Sequence, residues 1–536
     1  MNPVESLRRA RVRRLMGALL VGVACAGSAT PAAAQTLRWS SQGDPLTMDP
    51  HSQNELLTNN FTGQIYEPLV GRDRSLAIVP VLATSWQQVS PTLWRFKLRP
   101  NVKFHDGTPF TADDVVFSVQ RARDGVSDLK TYALALGELK VVDALTIDFV
   151  LPQVNPVFLE HLYTVQIMSR AWAGKHGASR PIDFKTQSTG YASLNANGTG
   201  PYRLVLREPD VKTVYRRNPT WWGRLEGNVQ EVVYTPIKSD ATRVAALISG
   251  ELDFVLDPSP QDLTRLRKTD GLKLIQGTEN RIIFIGMDQS RDELLYSSVK
   301  GKNPFKDVRV RRALYQAIDI ETLRSRLMRG QALPTGGMTP SPRGAFNDPA
   351  IEQRLPFDLA AARELMSDAG YPQGFEVALD CPNNRYINDE EICQTLAAMW
   401  AKLGVRVRLN AMPRSIFFPR LHRLDTSLYL MGWGGASTDA EITLTPLMRS
   451  RGEGGVGGWN FGQISNARLD EAAVASSREA DPARREQLIK TALREQQAAV
   501  NYIPLHRQVI SWAARQDVDV VQRADNWVEF AWIRMK

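Results

Sequence analysis

The sequence predicts an α/β fold arranged in two lobes, and three observations carry that expectation. A strand, helix, strand unit is legible between residues 375 and 409. Capped amphipathic helices recur along the chain between strand-like runs, with no fixed-period repeat. The chain has 536 residues, 43% hydrophobic and 23% charged, a globular composition long enough for two or more cores and unlike a disordered, collagenous or coiled-coil chain.

In chain order, the first element is an export signal. Arg8, Arg9, Arg11, Arg13 and Arg14 precede an apolar stretch over 15–29, and Ala32-Ala33-Ala34 supplies a cleavage site before Gln35. Residues 1–34 therefore read as a signal peptide. The twin arginines lack the rest of a twin-arginine pattern, so the general secretory route is favoured. A lipid anchor on Cys25 competes poorly, because Gly22-Val23-Ala24 is a weak lipobox. The net charge of +9 falls to +5 without this segment, which carries five Arg and Glu5. No Lys/Arg run follows it, and the twelve Trp are not interleaved with basic clusters, so a nucleic-acid partner is not expected.

Further along, Thr111-Ala112-Asp113-Asp114 is a capping box before Val115, Val116 and Val119. Ser239 caps a helix through Val244, Leu247 and Ile248 that stops at Gly250. In the unit that carries the fold prediction, Phe375 to Leu379 alternates with period two. A helix from about Asp389 then places Ile392, Leu396, Met399 and Leu403 on one face and ends at Gly404, and Val405 to Leu409 alternates again. A crossover of that length suits parallel strands. The Gly-rich stretch 451–462 reads as a surface loop, and Asp481-Pro482 opens a long helix carrying Leu488, Ile489, Ala492 and Ala499.

Past the signal, two cysteines remain, Cys381 and Cys393. In an oxidising compartment a local disulfide is the natural reading and two unpaired thiols the alternative; neither has the CxxC or clustered His partners of a metal site. Catalytic motifs are missing. There is no G-x-S-x-G, H-E-x-x-H, P-loop or dinucleotide fingerprint. Ser127 to Lys130 and Ser297 to Lys300 match S-x-x-K, a pattern expected about once per chain by chance, and no K-T-G accompanies them. The six His are scattered singly. No cofactor is expected.

A set of motifs in register extends over most of the chain. It runs through Leu82 to Trp86, Trp94 to Arg99, Val102 to Gly107, Phe110 to Val115, Gly198 to Tyr202, Arg217 to Trp222, Leu247 to Asp253, Val308 to Leu314 and Tyr502 to His506. This set resembles the signature of the family 5 extracytoplasmic solute-binding proteins, the dipeptide, oligopeptide and nickel receptors of ABC importers. The resemblance implies a two-lobed periplasmic-binding-protein fold with two interlobe crossing strands, near Arg281 to Ile285 and near Val509 to Trp512. It implies a first lobe over 35–281 completed by 510–536, and a second over 282–509. The expected protein is a monomeric periplasmic receptor that captures a peptide or small peptide-like solute and delivers it to an inner-membrane ABC permease. An exported hydrolase acting on peptides or cell-wall fragments is the alternative.

Carried over position by position, the resemblance implies ligand-contacting roles for seven residues. Asn54 follows Asp49-Pro50-His51, where oligopeptide receptors place a usually acidic contact. Tyr132 matches an aromatic cleft residue, and Arg385 lies where dipeptide receptors hold the ligand carboxylate, with a solvated loop arginine as the competing reading. Trp433 and Gly434 belong to the family's G-W strand end, whose backbone pairs with extended peptide; core packing is the other reading. His506 follows the I-P-L motif near the cleft. The family's Asp three residues beyond the Trp is replaced by Ala436. Asp439 is the nearest acid that could take over the ligand ammonium, with a helix N-terminal role as its alternative.

Overall fold

A computed structural model describes residues 35–186, 189–341, 348–435 and 437–536. The signal-peptide segment, Cys25 and Ala436 lie outside the described residues.

The strand, helix, strand unit forms as its periodicity predicts. Glu376–Pro382 and Arg406–Met412 pair in parallel, and the helix Asp389–Ala401 crosses between them. Ile392, Leu396 and Trp400 of that helix are fully buried. Gly404 ends the crossover with φ +79°, a left-handed conformation that favours glycine. Cys381 on the strand and Cys393 on the helix are joined by a disulfide. The other helix signals are read the same way by the backbone. Ser239 Oγ accepts from Thr242 N (3.3 Å) at the start of Asp240–Ser249, which stops at the left-handed Gly250, and Asp481 accepts from Arg484 N (2.8 Å) at the start of Pro482–Ala499.

Among the described residues, eleven strands join in one sheet that runs through both lobes. Its order is Arg406–Met412, Glu376–Pro382, Leu428–Gly434, Leu272–Met287, Tyr502–Arg515, Phe254–Leu256, Thr36–Ser40, Glu231–Tyr234, Lys212–Arg217 and Tyr202–Glu208, with Ala332–Pro334 added on Tyr502–Arg515. Leu272–Met287 and Tyr502–Arg515 are the two crossing strands, antiparallel to each other. Their register breaks between Thr278 and Ile282. The first part of Leu272–Met287 pairs only with its fellow crossing strand, whereas Arg281 to Met287 also pair with Leu428–Gly434.

On the N-terminal side, Trp39, Phe61 and Tyr234 centre a fully buried aromatic core. The chain's last segment completes it, with Phe530 5.9 Å from the Trp39 ring. A separate four-stranded antiparallel sheet, Ala83–Ser90, Leu93–Leu98, Thr146–Val150 and Glu138–Asp143, packs Phe96 and Phe149 onto Phe158. On the other side Ile285, Leu379, Ile392 and Trp400 share a second core. The lobes thus have their own interiors and meet along the crossing strands.

Candidate functional site

A cavity of about 350 Å³ lies where the lobes face each other, the size of a small-molecule site. From the N-terminal side it is walled by residues around Asn54 and Glu55, by Tyr66 to Pro68, and by Tyr132, Trp221 and Trp222. Arg385, Tyr386, Phe418, the strand end Met431 to Gly435 and Trp459 wall it from the other side.

Glu55 anchors the floor. It is the N-cap of Leu56–Thr62, its carboxylate accepting from Leu57 N (3.2 Å) and Thr58 N (3.0 Å). Two guanidinium groups reach the same carboxylate from the opposite side: Arg385 Nε pairs with Oε1 at 2.6 Å, and Arg414 Nη2 donates to Oε2. Burial alone would push this carboxyl up, but Arg385 and Arg414 outweigh it and hold it down to about 2. Arg385 is itself fixed. Asp389 accepts from its backbone N (2.8 Å) and from Tyr386 N (2.9 Å), and its guanidinium lies 4.8 Å from the Tyr386 ring. Arg414, at the start of Arg414–His422, also donates to Thr58 Oγ1 (3.1 Å).

Other acids on the wall divide into two kinds. Glu160 pairs with Arg72, and Asp525 with Arg523. Glu67 is held by neutral donors: Trp222 Nε1 (2.8 Å), Thr199 Oγ1 (2.7 Å) and Trp221 Nε1 (3.1 Å). Burial lifts the Glu67 carboxyl to about 7 against those hydrogen bonds, and Glu529, close enough to add repulsion, is lifted by burial to the same value. The aromatic rings are partly committed too: the Arg99 guanidinium lies 4.0 Å over Trp222, and Arg523 lies over both Trp527 and Trp532. By contrast, Trp433 Nε1 is buried without a hydrogen-bond partner among the described residues. It is a donor available to a bound molecule. Flat rings, directed N–H groups and neutralised charges make a surface that holds a molecule by shape and hydrogen bonds.

The structure brings Asn54, Tyr132, Arg385, Trp433 and Gly434 together on this wall. Asn54 Oδ1 accepts from Asn59 Nδ2 (2.9 Å), and Tyr132 is nearly fully buried. Two expectations need correction. Asp439 does not line the cavity: it is bound at both oxygens by Arg485 (2.7 Å each) and accepts from Glu441 N (2.8 Å), the helix N-terminal role that was its alternative. His506 is also off the wall, buried in the second crossing strand opposite Ile283, and burial with the nearby Arg354 lowers its pKa to about 3. The Gly-rich stretch is a surface loop only in its first half, because Trp459, Asn460 and Phe461 are buried and Trp459 faces the cavity. Sequence reasoning did not single out Glu55, Glu67 or Arg414. Glu55 and Arg414 meet across 359 positions, and no local pattern announces that.

Comparison with known proteins bears on this geometry. Residues 77–455 match the model of the bacterial extracellular solute-binding proteins, family 5 Middle. The glutathione-binding protein GsiB of Pectobacterium atrosepticum is 27% identical over 491 residues, covering 88% of each chain. The Escherichia coli GsiB is 26% identical over 501 residues, covering 90% of this chain and 91% of that one. Among solved structures, a dipeptide-binding protein from a Pseudoalteromonas species in complex with Met-Leu superposes with a TM-score of 0.83 at 21% identity, over 94% of this chain and 100% of that one. The Escherichia coli murein tripeptide binding protein MppA gives a TM-score of 0.82 at 21% identity, over 94% and 99%.

Proposed function

The chain belongs to the family 5 bacterial extracellular solute-binding proteins, and from that premise we propose that it is the periplasmic receptor of an ABC importer, capturing a peptide or small peptide-like solute between its lobes and delivering it to the inner-membrane permease. It acts as a monomer and releases the solute chemically unchanged. The lobes divide at the crossing strands, 35–281 with 510–536 against 282–509, and close on the solute by hinge motion.

One observation carries this reading: a cavity of about 350 Å³ walled by both lobes, with the strand end Gly432-Trp433-Gly434 at its edge. A compound held there touches residues of both lobes at once, so its binding energy favours closure. The chain's relatives, a glutathione-binding protein and receptors for a dipeptide and a murein tripeptide, support a solute of this size. Mass spectrometry of the compound released by denaturing natively purified protein tests the reading. Recovery of an intact peptide or peptide-like molecule is expected. Cleavage of a defined peptide library by the purified protein would replace the receptor with the hydrolase.

A further inference from the structure

The walls of the cavity are joined by more than a solute could supply. Glu55 stands at the start of Leu56–Thr62 on the N-terminal side, whereas Arg385 and Arg414 stand beside Asp389–Ala401 and at the start of Arg414–His422 on the other. The Glu55 side chain is 2% exposed, Arg414 2% and Arg385 10%, so the triad is shielded from solvent where the lobes meet. Each carboxylate oxygen meets a backbone N–H of its own helix and a guanidinium from across the cleft, and Oε2 also accepts from Thr58 Oγ1 (3.1 Å).

We propose that Glu55 is an interlobe latch, a carboxylate of the first lobe gripping Arg385 and Arg414 of the second, which holds the cleft closed in the solute-free receptor.

The physical basis is a differential contact. Hinge opening separates the triad and exposes all three charges to water, so the short, buried pairing exists only in the closed form. Further contacts ride on the same closure: Arg414 reaches Thr58 Oγ1, and Gln42 Nε2 donates to Tyr386 O (3.0 Å). Arg414 Nε and Nη1 have no hydrogen-bond partner among the described residues. Among the described residues its ion pair is with Glu55, and loss of that carboxylate leaves two like charges together in a dry site. The latch also sets access. A solute enters only through the open fraction of the population, so a latched receptor binds more slowly than its cleft alone would allow.

The proposal rests on the two-lobe closure of the previous subsection, and small-angle scattering separates the two. The measurement uses the full mature chain freed of solute by unfolding and refolding, as wild type, Glu55→Gln and the double variant Arg385→Met/Arg414→Met. The double variant removes the charges from the other lobe and leaves the helix cap at Glu55 in place, so a folding defect of Glu55→Gln does not decide the result. Wild type is expected near the roughly 23 Å radius of gyration of a compact chain of this size, and both variants are expected to expand. Equal radii in all three proteins, or a wild type as expanded as the variants, overturn the latch. The same samples with a mixture of reduced glutathione and dipeptides report on closure: if all three solute-free proteins are expanded and contract with the mixture, closure stands and the latch falls.

Discussion

His506 offers a decisive substitution, His506→Met. The side chain is fully buried in the second crossing strand, between Ile283 and Pro334 in the ladder, and neither ring nitrogen has a hydrogen-bond partner among the described residues. Methionine is close in volume and brings no polar atom to satisfy. Relieving an unsatisfied buried polar group is worth about 1–3 kcal/mol, so the variant is expected to be at least as stable as wild type at pH 7. The pH dependence sharpens the test. Burial first, then Arg354, lowers the folded pKa from 6.5 to about 3. As pH falls below 6.5 the unfolded chain takes up a proton that the folded one refuses. The contribution of this group is therefore intact above pH 6.5 and lost as the solution is acidified, until it levels near pH 3. Over the 1.5 pH units from 6.5 to 5, at about 1.36 kcal/mol per unit, His506 costs wild type about 2 kcal/mol that the variant keeps. Urea unfolding at pH 7 and pH 5 reads this directly, because His51, His105 and His161, also lowered by burial, respond in both proteins. A variant more than about 1 kcal/mol less stable than wild type at pH 7, or a difference between the two proteins that does not grow on acidification, refutes the reasoning and returns His506 to a polar role.

Four further outcomes are expected. Replacing Cys381 and Cys393 together by Ser removes a short cross-linked loop and lowers stability by about 3 kcal/mol, read by calorimetry under non-reducing conditions; an unchanged midpoint would show that the bond contributes nothing. Gly432→Ala places a Cβ 2.7 Å from Tyr386 Cε1 and 2.9 Å from Ile283 Cδ1, so it should cost about 1–3 kcal/mol in denaturant unfolding. Asp439→Asn breaks the bidentate pair with Arg485 and should lower stability by about 1.5–3 kcal/mol while leaving the amount of co-purifying solute unchanged; loss of the solute would restore Asp439 to the binding wall. Intact-mass analysis of the exported protein should find a chain beginning at or near Gln35, and an acylated Cys25 would overturn the signal-peptide reading.

Much of the scaffold was legible because its signals are local. The 375–409 unit alternates, turns helical and alternates again within one window, and Ser239, Gly250, Asp481 and Gly404 punctuate helices by chemistry that acts over three or four residues. The cavity wall was legible only in part. Asn54, Tyr132, Arg385 and the Trp433-Gly434 strand end came from resemblance, and they do lie on one surface. Glu55 escaped notice because one position separates it from Asn54 and because its meaning lies in two arginines hundreds of residues away. Asp439 misled for a related reason: nearness in sequence to Trp433 says little about direction, and the helix beginning after Ala440 turns its carboxylate toward Arg485. Trp459 was hidden by its glycine neighbours, whose composition reads as solvent-facing.

The position of Tyr502–Arg515 has a consequence for how the molecule is made. That strand lies between Phe254–Leu256 and Leu272–Met287, in the interior of the sheet, and the Trp39 core waits for Phe530 near the very end of the chain. Local pairings form quickly, whereas those between distant segments are slow. The second lobe's strands Glu376–Pro382, Arg406–Met412 and Leu428–Gly434 come from a short contiguous stretch and can assemble as soon as it is available. The second lobe's core then closes with Ile503 and Leu505, whereas the first lobe's sheet stays open along one edge until Trp512 to Ala514 arrive. A polypeptide delivered N-terminus first therefore completes its later half before its earlier one. Until then the apolar faces of Thr36–Ser40 and Phe254–Leu256 stand exposed, and that interval is when the nascent protein most needs a chaperone.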